Sequence, residues 1–270
     1  MTSIVQQRVG ECSARGHACL VLHGLGGGPY ELEPLIAAIE ASGVRVVAPV
    51  LPGHEGPGPV MPASNWRDWA GEAEMSFDRL QETGVSVTVI GFSTGATLAL
   101  HLASRRPVAR QVLLAPFLAI RYSGLIPLRP ALYLRALARM MPNLRRRGPA
   151  VRDPEMRHWA AGTDRFRTFS VHAAISALEL IDTIKPLVST ITIPTLIIQG
   201  RLDSVVEPGG ANWLHDHLGS TRKVLVSLPE SDHLVALDRE RERVIAMTRD
   251  FITGRGELFL TPNGEENRRA

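Results

Sequence analysis

Ser93 is the residue best placed to do chemistry. It stands in Gly91-Phe92-Ser93-Thr94-Gly95, a G-x-S-x-G pattern. A serine hydroxyl becomes a nucleophile at neutral pH only when a base takes its proton and an acid orients that base. Two later residues have the right types in the right order. Asp203 follows the apolar run Pro194–Gly200 (PTLIIQG), and His233 follows Lys223–Leu228 (KVLVSL). The order Ser93, Asp203, His233 is the one expected for a nucleophile on a strand-to-helix turn with its partners on later strands. Acyl transfer also needs two N–H donors for the oxyanion. The backbone of Thr94 is the candidate for one, and that of Leu25, in the loop His23-Gly24-Leu25-Gly26, for the other.

Rival residues are weaker on placement. Glu207 lies four residues further from its strand than Asp203, and Asp232 adjoins the histidine, a poor position for reaching its ring nitrogen. Glu230 and Asp238 are the remaining rival acids. His23 and His54 read as histidines that hydrogen-bond within their own loops and shape them. His101, His158, His172, His215 and His217 read as packing or surface residues. No group of carboxylates, histidines and cysteines has metal-ligand spacing, and no G-x-G-x-x-G opens a helix with a ribose-binding acid behind it. Neither metal nor cofactor is expected. Cys12 and Cys19 read as inert thiols.

The elements that position these residues follow from hydrophobic pattern. Val85, Val87, Val89 and Ile90 form a β-branched run typical of a buried parallel strand, and Ala96 to Ala103 is apolar enough for a helix buried on most sides. The turn between them must be tight, hence Gly91 and Gly95, and it pushes Ser93 into a strained conformation. Further strands are predicted at Ser3–Val9, Ala18–Leu22, Val44–Ala48, Val112–Ala115, Pro194–Gly200 and Lys223–Leu228. Helices are predicted after Pro29, from Trp66 to Leu80, near His172–Ile184, at Gly210–Leu218 and at Arg239–Ile252. Alternating strands and helices predict an α/β protein whose mostly parallel sheet carries helices on both faces.

Between Phe117 and about Ile193 the alternation breaks, Pro127, Pro130, Pro142, Pro149 and Pro154 intervene and no strand is evident. The expected division is a core of residues 1–116 and 194–254, a small helical cap insertion at 117–193 and a polar tail at 255–270. If Pro130 opens a cap helix, Arg135 and Arg139 share one face while Leu134, Leu137 and Met141 line another. That face has three open roles: a wall of an acyl pocket, a weak contact with a lipid surface, or plain packing.

Composition narrows the class. The net charge is +3, the only lysines are Lys185 and Lys223, and much of the arginine lies between Arg121 and Arg167. Leucine, methionine and proline, not base-stacking aromatics, separate these arginines, which argues against nucleic acid. No apolar run approaches the roughly 20 residues of a membrane span, and the first residues lack a signal-peptide core, so a cytoplasmic location is expected.

The segments LVLHGLGG, APVLPGHEG, NWRDW, GFSTGA, IPTLIIQGRLDSVV and SDHLVALD together resemble the α/β-hydrolase fold over Ala18 to Ile252. Within it they resemble the bacterial carboxylesterase and monoacylglycerol lipase group. The resemblance implies a small cap, cleavage of short- to medium-chain esters or monoacylglycerols, and no cofactor. Asp232 departs from that group, which commonly has glycine before the histidine, and so does the arginine-rich cap. Cleavage of a C–C bond or thioester, acyl transfer, and a catalytically silent binding protein stay open as alternatives.

Overall fold

The computed structural model describes residues 16–56, 58–119, 138–163 and 166–254. The expected strand at Ser3–Val9, the polar tail and most of the helix expected from Pro130 lie outside these residues. The described residues open with β1 (His17–Leu22), a 3-10 turn at Pro29–Leu32, α1 (Glu33–Ala41) and β2 (Arg45–Val47). α2 (Trp66–Gln81), β3 (Ser86–Phe92), α3 (Thr94–Ala103) and β4 (Arg110–Leu114) follow. Next come β5 (Asn143–Arg145), α4 (Pro154–Gly162), β6 (Thr168–Ser170) and α5 (Val171–Ile184). β7 (Thr195–Gly200), α6 (Gly209–His217), β8 (Lys223–Leu228) and α7 (Arg241–Thr253) complete the order.

Six strands pair in the order β2-β1-β3-β4-β7-β8, and every pairing is parallel. The two-residue period of a strand sends alternate side chains to opposite faces. In β1, Ala18, Leu20 and Leu22 join one core cluster while Cys19 and Val21 join the other. In β7, Ile197 faces the first cluster and Leu196 and Ile198 the second. Trp69 and Phe77 of α2 and Leu98 of α3 cover the first face. Leu35 and Ile39 of α1 and Val244 and Phe251 of α7 cover the second. The sheet is thus a layer between helices, as the alternation predicts.

Polar side chains set three of the helix starts. The Asn65 side chain accepts from the N–H groups of Arg67 and Asp68, that of Asp153 from Glu155 and Met156, and that of Ser170 from Ala173. Gly254, at φ 68°, ends α7 in the left-handed conformation that glycine adopts without penalty.

The insertion is not wholly helical, a correction to the expectation. β5 and β6 pair antiparallel, with Leu144 opposite Phe169 and Arg145 opposite Thr168. Three-residue strands carry too little alternation to register in a sequence, and these two pair across 22 intervening residues. No helix among the described residues is long and apolar enough to cross a membrane.

The chain runs from β1 outward to β2 and then returns to β3 on the other side of β1. This reversal opens a crevice at the carboxyl ends of β1 and β3, where open α/β sheets bind ligands. The start of α3 is pressed against that crevice. A Cβ on Gly95 would stand 2.1 Å from the Leu22 carbonyl oxygen and 2.6 Å from that of His23. Both are backbone atoms and cannot swing aside. Gly95→Ala is therefore expected to destabilise the fold by about 1–3 kcal/mol, measured as a fall in the urea midpoint at unchanged m-value.

Candidate active site

Ser93, Asp203 and His233 each follow the carboxyl end of a strand, β3, β7 and β8 respectively. Ser93 caps α3 with φ 54° and ψ −118°, the strained geometry expected of this turn. Gly91 is required beneath it, because a Cβ there would lie 2.3 Å from the Gly95 carbonyl oxygen. His233 Nε2 is 3.0 Å from Ser93 Oγ, and His233 Nδ1 is 2.8 Å from Asp203 Oδ2. An ionised carboxylate only accepts, so Nδ1–H donates to Asp203 and Nε2 is left to accept the Ser93 hydroxyl proton.

Asp203 is fully buried and saturated with donors. Its Oδ1 accepts from the Val205 and Val206 N–H groups at 2.9 and 2.8 Å, and its Oδ2 also accepts from Gln199 Nε2 at 2.9 Å. Burial alone would raise its carboxyl. The charge and hydrogen bond of His233, with the two N–H groups, outweigh burial and hold it below the ordinary carboxylate value. Gln199 was not singled out from sequence. Its signal is there, a lone amide in the apolar strand TLIIQG.

The rival acids are occupied elsewhere. Asp232 Oδ1 accepts from the Ser204 N–H and hydroxyl, each at 2.8 Å, and from the His233 N–H at 2.9 Å, while its Oδ2 pairs with Arg152 at 3.1 Å. Asp232 thus ties the acid's loop to the base's loop. Asp238 is fully buried. Its Oδ1 accepts from the N–H groups of Arg152, Asp153 and Arg239, and its Oδ2 from that of Asp232 at 2.6 Å. It fastens the insertion to the histidine loop, a role the sequence reading did not assign. Glu207 is exposed.

Leu25 and Thr94 line one cavity with Ser93 and His233. Neither backbone N–H donates to a protein group among the described residues. The Leu25 loop is held from three directions. Gly27 N–H donates to the Gly24 carbonyl at 3.2 Å, and the Arg146 guanidinium donates to the Gly26 carbonyl. His23 Nδ1–H donates to the Gly24 carbonyl at 2.9 Å, and its Nε2 accepts from Leu51 N–H at 3.0 Å. Those bonds need a neutral imidazole, and burial lowers its pKa to about 3, with His54 adding to the shift. The rings of His23 and His54 meet edge-on at 5.0 Å, and His54 in turn meets Trp69. His101 packs edge-on against Trp66. Burial pushes the Cys19 thiol up to about 12, which leaves it protonated and unreactive. Cys12 lies outside the described residues.

The cavity has a volume of about 340 Å³. Leu144 of β5, Phe169 of β6 and Phe117 give it apolar walls, and Arg146 also lines it.

Sequence comparison agrees with this architecture. The model of the Hydrolase_4 family, described as serine aminopeptidase, S33, matches residues 14–240. The chain belongs to this family. It is 26% identical to a thermostable monoacylglycerol lipase of Bacillus sp. (strain H-257) over 86% of this chain and 88% of that one. It is 23% identical to a carboxylesterase of Bacillus subtilis (strain 168) over 87% and 92% of the two chains. Among solved structures, one described under LipS and LipT, two metagenome-derived lipolytic enzymes, superposes with a TM-score of 0.78 at 25% identity, covering 90% of this chain and 96% of that one. The monoacylglycerol lipase of Paleococcus ferrophilus has the same fold, with a TM-score of 0.73 at 21% identity over 89% and 96% of the chains. This family member has the α/β-hydrolase fold and is a hydrolase of the lipase and esterase type.

Two outcomes are expected of the supporting residues. An unfolded histidine takes a proton below about pH 6.5, whereas folded His23 resists protonation down to about 3. The unfolded state thus binds more protons in that window, and stability falls as pH is lowered through it, by up to about 1.4 kcal/mol per unit for one group. Urea unfolding from pH 7 to pH 4 should show a shallower decline for His23→Asn. Asp238→Asn replaces an acceptor of four N–H bonds by an amide with one donor end. It should cost about 1–3 kcal/mol and lower kcat less than Asp203→Asn does.

Proposed function

We propose that the chain hydrolyses carboxylic esters of short- to medium-chain acyl groups, monoacylglycerols among them, through an acyl-enzyme on Ser93. One observation carries this reading: the unbroken array Ser93–His233–Asp203, at 3.0 and 2.8 Å, opens onto an apolar-walled cavity. The Bacillus relatives, a monoacylglycerol lipase and a carboxylesterase, support the substrate class.

Ser93 Oγ attacks the ester carbonyl carbon as its proton passes to His233 Nε2. The imidazolium so formed is stabilised by the Asp203 carboxylate, which stays ionised. The carbonyl oxygen becomes an oxyanion, received by the Thr94 and Leu25 N–H groups, and the amino end of α3 adds its positive dipole. The tetrahedral intermediate collapses, the C–O bond to the alcohol breaks, and Nε2–H protonates the departing oxygen. Water then gives its proton to Nε2, attacks the acyl-enzyme and releases the acid, regenerating the Ser93 hydroxyl. The chain's own residues perform every proton transfer.

Ser93→Ala should abolish both hydrolysis of p-nitrophenyl butyrate and labelling by a fluorophosphonate probe, without a change in melting temperature. Asp203→Asn should lower kcat on the order of 10³–10⁴ through the wrong imidazole tautomer. A Ser93→Ala protein with near-wild-type kcat would overturn the assignment. A panel that adds a thioester, a C–C substrate and an acceptor alcohol separates ester hydrolysis from the other reactions this array can run.

A further inference from the structure

The cavity in front of Ser93 has apolar walls, and its exposed lining residues include Arg145 and Arg147. Arg145, Arg146 and Arg147 lie together on its lining, at and just after the end of β5. Arg146 is engaged by the Gly26 carbonyl. The side chains of Arg145 and Arg147 make neither hydrogen bond nor ion pair among the described residues. Other arginines do find acids: Arg105 and Arg106 reach Glu74, Arg106 also reaches Asp78, Arg152 reaches Asp232 and Arg241 reaches Asp153. The only carboxylate on the cavity lining among the described residues is Glu31, buried against Gly27.

Sequence sharpens the imbalance. From Phe117 to Arg152 there are eight arginines and not one aspartate or glutamate, although the chain as a whole carries only +3. The rest of the protein is therefore net negative, and positive charge is gathered in the stretch of sequence that contains Arg145, Arg146 and Arg147. An uncharged ester gains nothing from unpaired guanidinium groups beside it. A carboxylate or phosphate gains charge-assisted, planar hydrogen bonds and electrostatic steering into the cleft.

We infer that the preferred ester carries an anionic group, carboxylate or phosphate, which Arg145 and Arg147 receive on the cavity lining while the apolar part lies against Leu144 and Phe169. This rests on the ester-hydrolase reading of Ser93 and narrows its substrate class.

Two matched pairs of substrates test it. The first sets the mono-p-nitrophenyl ester of adipic acid against p-nitrophenyl hexanoate, which places the charge on the acyl side as a carboxylate. The second sets a monoacylglycerol phosphate against the monoacylglycerol of the same chain, which places it on the alcohol side as a phosphate. In at least one pair the charged member should show about tenfold higher kcat/KM at low salt. That ratio should fall toward one at about 0.5 M NaCl, where screening is strong, and in Arg145→Gln/Arg147→Gln of unchanged melting temperature. The pair that responds identifies the group and its side. Ratios at or below one in both pairs, or a preference untouched by the double variant, would overturn the inference.

If no ester of either pair is turned over, the Ser93 reading fails and affinity alone decides the question. Calorimetric titration of Ser93→Ala with the adipate half-ester, the phosphate and their neutral partners should then still show about tenfold tighter binding of a charged member. Equal affinity would overturn the anion site.

Discussion

The close approach of β1 to the first turn of α3 governs everything near Ser93. Gly95 lies so near the Leu22 and His23 carbonyls that no side chain fits between them. Gly91 allows the opposite side of the same turn to close on Gly95 and Ala96. Together they force Ser93 to φ 54°, a conformation that L residues avoid and that only a surrounding framework can maintain. One contact therefore sets two things, the lift of the Ser93 hydroxyl and the spacing between the Thr94 and Leu25 backbones. A looser packing of strand on helix would separate the Ser93 hydroxyl from the Thr94 and Leu25 N–H groups.

Three aspartates meet around the histidine, and their environments divide the labour. Asp203, Asp232 and Asp238 are all buried and all accept backbone N–H groups. Only Asp203 also faces the imidazole, because β7 ends where its side chain can reach Nδ1. Asp232 joins the loops after β7 and β8, and Asp238 joins the loop after β8 to the insertion. A carboxylate surrounded by N–H groups supports the histidine mechanically. The one that donates its electrostatic field to the ring supports it chemically.

The residues of the site were legible in the sequence because each follows a strongly patterned strand. TLIIQG and KVLVSL announce their own ends, and Asp203 and His233 come directly after. The same pattern gave the layered sheet and the boundaries of β7 and β8 to within a residue. What escaped was tertiary. The β5–β6 pair depends on partners distant in sequence and on strands too short to show a period. The roles of Gln199, Asp238 and Arg146 depend on where backbone groups fall in space. A carboxylate that accepts four N–H groups looks, in sequence, like any surface acid at the end of an apolar run.

The seam at Asp238 bears on how such a chain can change over generations. Asp238 holds the insertion by the main-chain N–H groups of Arg152 and Asp153 and asks nothing of their side chains. For that purpose the side chains at these two positions can change, so long as the backbone arrives at the same point. The histidine loop meets the insertion at the same seam through Asp232, which pairs with Arg152, and through the Leu234 N–H, which donates to the Ala150 carbonyl. The insertion thus meets the residues around Ser93 and His233 at two points, the Asp238 seam and the Arg146 bond to the Gly26 carbonyl, and a changed insertion must keep both.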